Sequence, residues 1–165
     1  MRRLLKYLGF LMLAFTVCSC DPRGDELWGD EKNQIRNYLQ DRGVIDYSED
    51  DASGYFYYFT DANGLGGRPN ANSIVEVVYR IEGLDGNVFV ETPSGETQRI
   101  DLSKSIVGLQ LAMPNFQIGT KGYIILPSRL AYGKKGLKDD NGNQLIPANT
   151  VLLVYVELIE VHPHF

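Results

Sequence analysis

Residues Leu130-Ala131-Tyr132-Gly133-Lys134 and Ile146-Pro147-Ala148-Asn149 bracket the part of the chain best suited to chemistry. The Tyr-Gly turn follows one apolar stretch, and the Ile-Pro pair leads into another, Val151 to Val161. A loop with a tyrosine at one edge and an isoleucine at the other can line an apolar slot. No obvious nucleophile or acid–base pair accompanies it. The two histidines, His162 and His164, sit in the tail, and both cysteines, Cys18 and Cys20, lie near the start. A slot of that kind suits a reaction that needs no proton transfer.

The surrounding elements must hold the slot open. Val75, Val77, Tyr79 and Ile81 alternate with Glu76, Val78 and Arg80, which predicts a strand with one apolar face. Leu84-Asp85-Gly86-Asn87 supplies a hairpin turn, and Val88-Phe89-Val90 continues the sheet. Pro93-Ser94-Gly95 breaks the chain before Thr97 to Leu102 resumes it. Ile106 to Phe116 reads as the one helix of this half, ended by Gly119. Tyr123 to Leu126 is a short strand closed by Pro127. The last strand places Leu152, Val154, Val156 and Leu158 on one face. Strands, a short helix and strands again predict an α+β domain, an antiparallel twisted sheet wrapping one helix.

Upstream, Ile35, Tyr38 and Leu39 form one apolar helix face that Asp30 can cap and Gly43 can stop. The run Tyr55-Phe56-Tyr57-Tyr58-Phe59-Thr60 has strand spacing, half for the core and half for the sheet surface. Residues 28–72 thus read as a helix-plus-strand extension before a folded unit over 73–162, and residues 20–27 as a tether.

The chain has 165 residues, of which 44% are hydrophobic, so one packed core is expected and wholesale disorder is not. Residues 1–19 are a different object. Arg2, Arg3 and Lys6 precede the apolar run Tyr7 to Cys18, which is too short for a permanent membrane span and reads as a secretory signal. Val17-Cys18-Ser19-Cys20 resembles a bacterial lipobox, which implies lipid on the Cys20 thiol, a membrane anchor through that lipid, and a cell-envelope location. Removal of residues 1–19 takes away three basic residues and no acidic ones, moving the net charge from −5 to −8. So acidic a chain has no electrostatic footprint for nucleic acid. Asp139-Asp140-Asn141-Gly142 is not a calcium loop, because carboxylates are missing at the first and twelfth ligand positions. The terminal His-Pro-His reads as a solvated tail, and no metal or other cofactor is expected.

Taken in order, these pieces resemble the FKBP-type peptidyl-prolyl isomerases from about Ile74 to Val161. The resemblance rests on Val77-Val78-Tyr79, Leu84-Asp85-Gly86 with Phe89, and Ile106-Val107-Gly108-Leu109 with Met113. It continues through Ile118-Gly119, Pro127, Leu130-Ala131-Tyr132-Gly133, Ile146-Pro147 and Val156-Glu157-Leu158. The extension is similar to that of lipid-anchored members from Bacteroidetes-type bacteria, some linked to gliding motility. The resemblance implies an FKBP-like fold and rotation of X–Pro bonds in proline-containing polypeptides. By position, Tyr79 and Phe89 would form one wall of the proline pocket. The Ile106 N–H and the Tyr132 hydroxyl would each hold a substrate carbonyl, Leu109 would be the floor, and Ile146 would close the far rim.

Three positions depart from the family pattern. Val90 stands where an acidic residue usually follows the phenylalanine, Leu109 where the floor is usually tryptophan, and Val154 where the final strand commonly carries an aromatic. Leucine at the floor occurs in some members, whereas loss of the acid often accompanies weak activity. The alternative is therefore a proline-binding chaperone of low catalytic power, or a scaffold lipoprotein of an envelope machine.

Overall fold

The computed structural model describes residues 22–162, with side chains from Leu27 onward. The signal at residues 1–19 and the lipidation position Cys20 lie outside the described residues. Two helices and nine strands follow in order. They are α1 (Pro22–Asp41), β1 (Ser48–Glu49), β2 (Phe56–Asp61), β3 (Ile74–Gly83), β4 (Val88–Glu91) and β5 (Gln98–Asp101), then α2 (Val107–Ala112), β6 (Lys121–Leu126), β7 (Leu137–Lys138), β8 (Gln144–Ile146) and β9 (Leu152–His162).

Seven strands make one antiparallel sheet in the order β1-β2-β6-β9-β3-β4, with β5 also paired to β3. The long strand β3 serves both β5 and β4 along one edge: Ile74–Val77 pairs with β5, and Arg80–Glu82 with β4. Its other edge pairs along its whole length with β9. The expected fold class, an antiparallel sheet wrapping a short helix, is the observed one. The β7–β8 hairpin stands apart as a two-stranded sheet.

Alternation along the strands sends side chains to two cores, one on each face. Val75, Val77, Ile81, Ile124, Leu126, Val154, Val156 and Leu158 face α2, whose Leu109 and Ala112 are buried against them together with the following Met113 and Phe116. Gly108 is the point of closest approach, because a Cβ there would collide with the Leu126 side chain. The opposite face carries Phe56, Ile125, Val151 and Leu153 and is covered by α1 through Ile35 and Leu39. The aromatic run of β2 divides between the cores, with Phe56 and Tyr58 on the α1 side and Tyr55, Tyr57 and Phe59 on the other.

Two expectations at the N-terminal end are corrected. Pro22 to Leu27 is helical rather than a tether, and Asp30 lies inside α1 rather than capping it. Proline suits the first turn of a helix, where its missing N–H has no partner to lose, so Pro22 and Gly24 do not break it. The apolar face of α1 then falls where Ile35 and Leu39 predict it, and the helix ends just before Gly43, whose φ is +66°. In the other half, α2 is shorter than Ile106 to Phe116. Pro114 removes a donor, so the chain tightens into a 3₁₀ turn at Met113–Asn115. Among the described residues no helix is long and apolar enough to cross a membrane.

Candidate active site

Between α2 and the sheet lies a cavity of about 480 Å³. Five of the positions singled out by the sequence line it: Tyr79, Ile106, Leu109, Tyr132 and Val154. They come from four separate stretches of chain. Tyr79 projects from β3 beside the buried Val77 and Ile81, and Val154 faces it from β9, where it is in register with Ile81. The Tyr79 backbone is fixed on its other side by Thr92, whose N–H donates to the Tyr79 carbonyl at 2.9 Å and whose Oγ1 accepts from the Tyr79 N–H at 3.1 Å.

Ile106 is the N-cap of α2, with extended backbone (φ −61°, ψ 147°). Its carbonyl accepts from the N–H groups of Leu109 and Gln110. Among the described residues, its own N–H has no acceptor. A helix start leaves such donors unused, so this amide is available to a carbonyl brought into the cavity. Leu109, one turn on, is buried.

Tyr132 follows the 3₁₀ turn Ser128–Leu130, and its carbonyl accepts from the Gly136 N–H at 3.1 Å. Burial, and to a lesser degree the nearby Tyr79, pushes the Tyr132 hydroxyl above its ordinary pKa of 10. It therefore stays a neutral donor across the physiological range. The rim formed by the end of β5 and the turn after it is polar. The Asp101 carboxylate accepts from the Ser103 hydroxyl at 2.6 Å and pairs with Lys104 at 3.0 Å. The Ser103 contacts, followed by Lys104, hold Asp101 down at about 2. The result is a largely apolar basin with the Tyr132 hydroxyl and the Ile106 amide at its edge, and with Asp101, paired to Lys104, as the one carboxylate among its described lining residues.

Three expected members stand off the cavity lining. Phe89 lies on edge strand β4 and packs against the core, half-buried. Val90 alternates to the opposite side and is 39% exposed, in register with Ile81. Ile146 does not close a rim. Its pairing with Leu137 in the β7–β8 hairpin draws it into the core, where it is 1% exposed. In the other direction, sequence reasoning left out the wall made by β5 and the turn after it. Ile100 and Leu102 line the cavity there, alongside Gln98 and Lys104. The alternation of Ile100 and Leu102 was the available signal, but a four-residue strand is too short to establish a period.

Residues 66–159 match the FKBP-type peptidyl-prolyl cis-trans isomerase family. The isomerase FkpA of Aeromonas hydrophila is 34% identical over 105 residues, 63% of this chain and 37% of that protein. FkpA of Escherichia coli is 29% identical over 144 residues, 87% of this chain and 48% of that protein. The chain thus spans half or less of the length of these relatives. A crystal structure of a peptidyl-prolyl cis-trans isomerase from Pseudomonas syringae superposes with a TM-score of 0.66 at 29% identity, covering 81% of this chain and 94% of that one. With the sheet, the short helix and the cavity between them in place, the match over more than half the chain assigns this protein to the FKBP-type peptidyl-prolyl cis-trans isomerase family.

Proposed function

We propose that this protein is a lipid-anchored peptidyl-prolyl cis-trans isomerase of the bacterial envelope, which assists folding of secreted or envelope proteins by rotating X–Pro bonds in the cavity. The observation that carries the reading is the cavity, mostly apolar, with Tyr132 and the Ile106 amide at its edge and Asp101 held charged and paired with Lys104. Rotation about an X–Pro bond is opposed by roughly 18–20 kcal/mol of amide resonance. The planar form is the more charge-separated, so water favours it over the twisted form. Moving the bond into a dry apolar basin removes that preference, and each ~1.4 kcal/mol removed gives tenfold in rate. Tyr79, Leu109 and Val154 exclude water. The Ile106 N–H and the Tyr132 O–H hold the flanking carbonyls so that the twist falls on one bond. No covalent bond is made or broken.

The anchor is read from the lipobox at Cys20 and places the folded unit outside the cytoplasm, where polypeptides fold without cytosolic chaperones. Incorporation of labelled fatty acid tests this part, and labelling that persists in Cys20→Ser would remove the anchor. The activity is tested by NMR exchange of an X-Pro peptide. A second reading, a proline-binding module of low turnover, is favoured by Val90, an exposed apolar residue where the family usually carries an acid. Exchange indistinguishable from buffer, with peptide still bound at the cavity, would select it.

A further inference from the structure

The turn that delivers Tyr132 to the cavity is held from outside by helix α1. Ser128 opens the 3₁₀ turn Ser128–Leu130, and the residue before it, Pro127, makes no side-chain cap. The Ser128 N–H instead donates to Glu31 Oε2 of α1 at 3.0 Å, across 97 residues of sequence. Both partners are buried, Glu31 at 2% and Ser128 at 3% exposure. The next residue is gripped as well. The Arg129 guanidinium lies 3.9 Å from the centre of the Trp28 ring of α1 and donates to the Ser53 carbonyl at 2.7 Å. The Trp28 ring abuts Gly54, where any Cβ would overlap it. From there Leu130 turns back on Pro127 and Ala131 on Ser128, and Tyr132 comes next.

We propose that Glu31 is a positioning residue for the isomerase site: α1 caps the Ser128 turn in trans and thereby sets where the Tyr132 hydroxyl stands. The electrostatics point away from a role in stability alone. The second carboxylate oxygen, Oε1, is buried with no hydrogen-bond partner among the described residues. A buried, half-satisfied acceptor is costly, and an apolar residue would fill the same volume more cheaply. What an apolar side chain would lack, one helix turn before Ile35, is an acceptor aimed at the turn. The inference rests on the reading that Tyr132 contacts the substrate.

The test is a double-mutant cycle in proline-peptide exchange on the full chain, with fluorotyrosine at position 132 as a second readout. Glu31→Ala is expected to lower kcat/KM about three- to tenfold, mainly through kcat, and to shift the fluorine resonance. Glu31→Gln keeps an oxygen for the Ser128 N–H and is expected to recover most of the activity and the resonance. Glu31→Ala added to Tyr132→Phe is expected to cost little beyond Tyr132→Phe alone. Arg36→Ala, which loosens α1 at Glu49 without touching the turn, gives the effect of destabilisation alone. Full additivity in folded protein, or an unmoved resonance in Glu31→Ala, overturns the inference. Should Tyr132→Phe match wild type, the substrate contact of Tyr132 fails, and the resonance alone then decides whether Glu31 positions the turn.

Discussion

At the residue scale, the proposed mechanism acts through placement, so variants of the site should show small, graded effects. Tyr132 offers a neutral hydroxyl, and losing one neutral hydrogen bond is worth about 0.5–1.5 kcal/mol. Tyr132→Phe is accordingly expected to lower kcat/KM about two- to tenfold, read by exchange at matched folded fraction. A thousandfold loss would mean the hydroxyl does chemistry that the cavity gives no reason to expect. Phe89 separates wall from support. It packs on the core from β4 without lining the cavity, so Phe89→Ala is expected to act chiefly on stability, by about 1–2 kcal/mol for a half-buried ring. A large fall in kcat with an unchanged unfolding midpoint would return Phe89 to the pocket wall. Val90 is exposed, so a carboxylate there meets water and costs little stability. Val90→Asp is expected to hold or raise turnover, and a clear loss would show that the missing acid is not what limits this member.

At the element scale, the sequence was most legible where a period ran long enough to be read. The alternation in β3 and β9 and the Ile35, Leu39 spacing in α1 each predicted the face that is buried. Shorter or non-local features were not legible. Ile146 reads as a rim residue because Ile-Pro abuts a loop, yet the three-residue strand β8 turns it inward. Thr97 to Leu102 reads as a strand, but its role as a cavity wall does not follow from so short an alternation. The start of α1 was misplaced because Pro22 and Gly24 look like breakers when position within a helix is ignored. No local pattern announces that Glu31 meets Ser128. The extension is not a loose appendage, since β1 and β2 continue the main sheet and α1 covers its outer face. Glu49 of β1 draws α1 in further, pairing with Lys32 and with Arg36 at 3.0 Å. Ile35 is fully buried between α1 and the sheet, so Ile35→Ala is expected to cost about 2–4 kcal/mol in chemical denaturation. A loss below about 0.5 kcal/mol would show α1 to be peripheral to the folded unit.

At the scale of the whole molecule, titrating groups set a broad plateau of stability with two different edges. On the acid side, four carboxylates are held below their ordinary values in the folded state. Burial raises Glu49, but the hydrogen bonds from Lys32 and Arg36 outweigh it. Thr97 and then Arg99 lower Glu76, Ser103 and Lys104 hold Asp101 at about 2, and Asn143 lowers Asp139 across its turn. A folded-state value below the unfolded one contributes stability that is present above the unfolded value, near 4, and is lost as pH falls through the folded one. Stability should therefore be level down to about pH 5 and decline from about pH 4 toward pH 2. On the alkaline side the sign reverses. Burial pushes Tyr58 up to about 12 and raises Tyr38, Tyr55, Tyr132 and Tyr155 as well. Raised values contribute stability that is complete below the unfolded tyrosine value near 10 and disappears as pH rises through the folded values. The catalytic profile should be flat over the same plateau, because the Tyr132 hydroxyl stays neutral and the Asp101 carboxylate stays charged throughout it. Urea midpoints measured from pH 2 to pH 11, beside exchange rates from pH 5 to pH 9, test both expectations. A bell-shaped rate profile within the stability plateau would reveal a proton-transferring group and would argue against rotation by desolvation and placement.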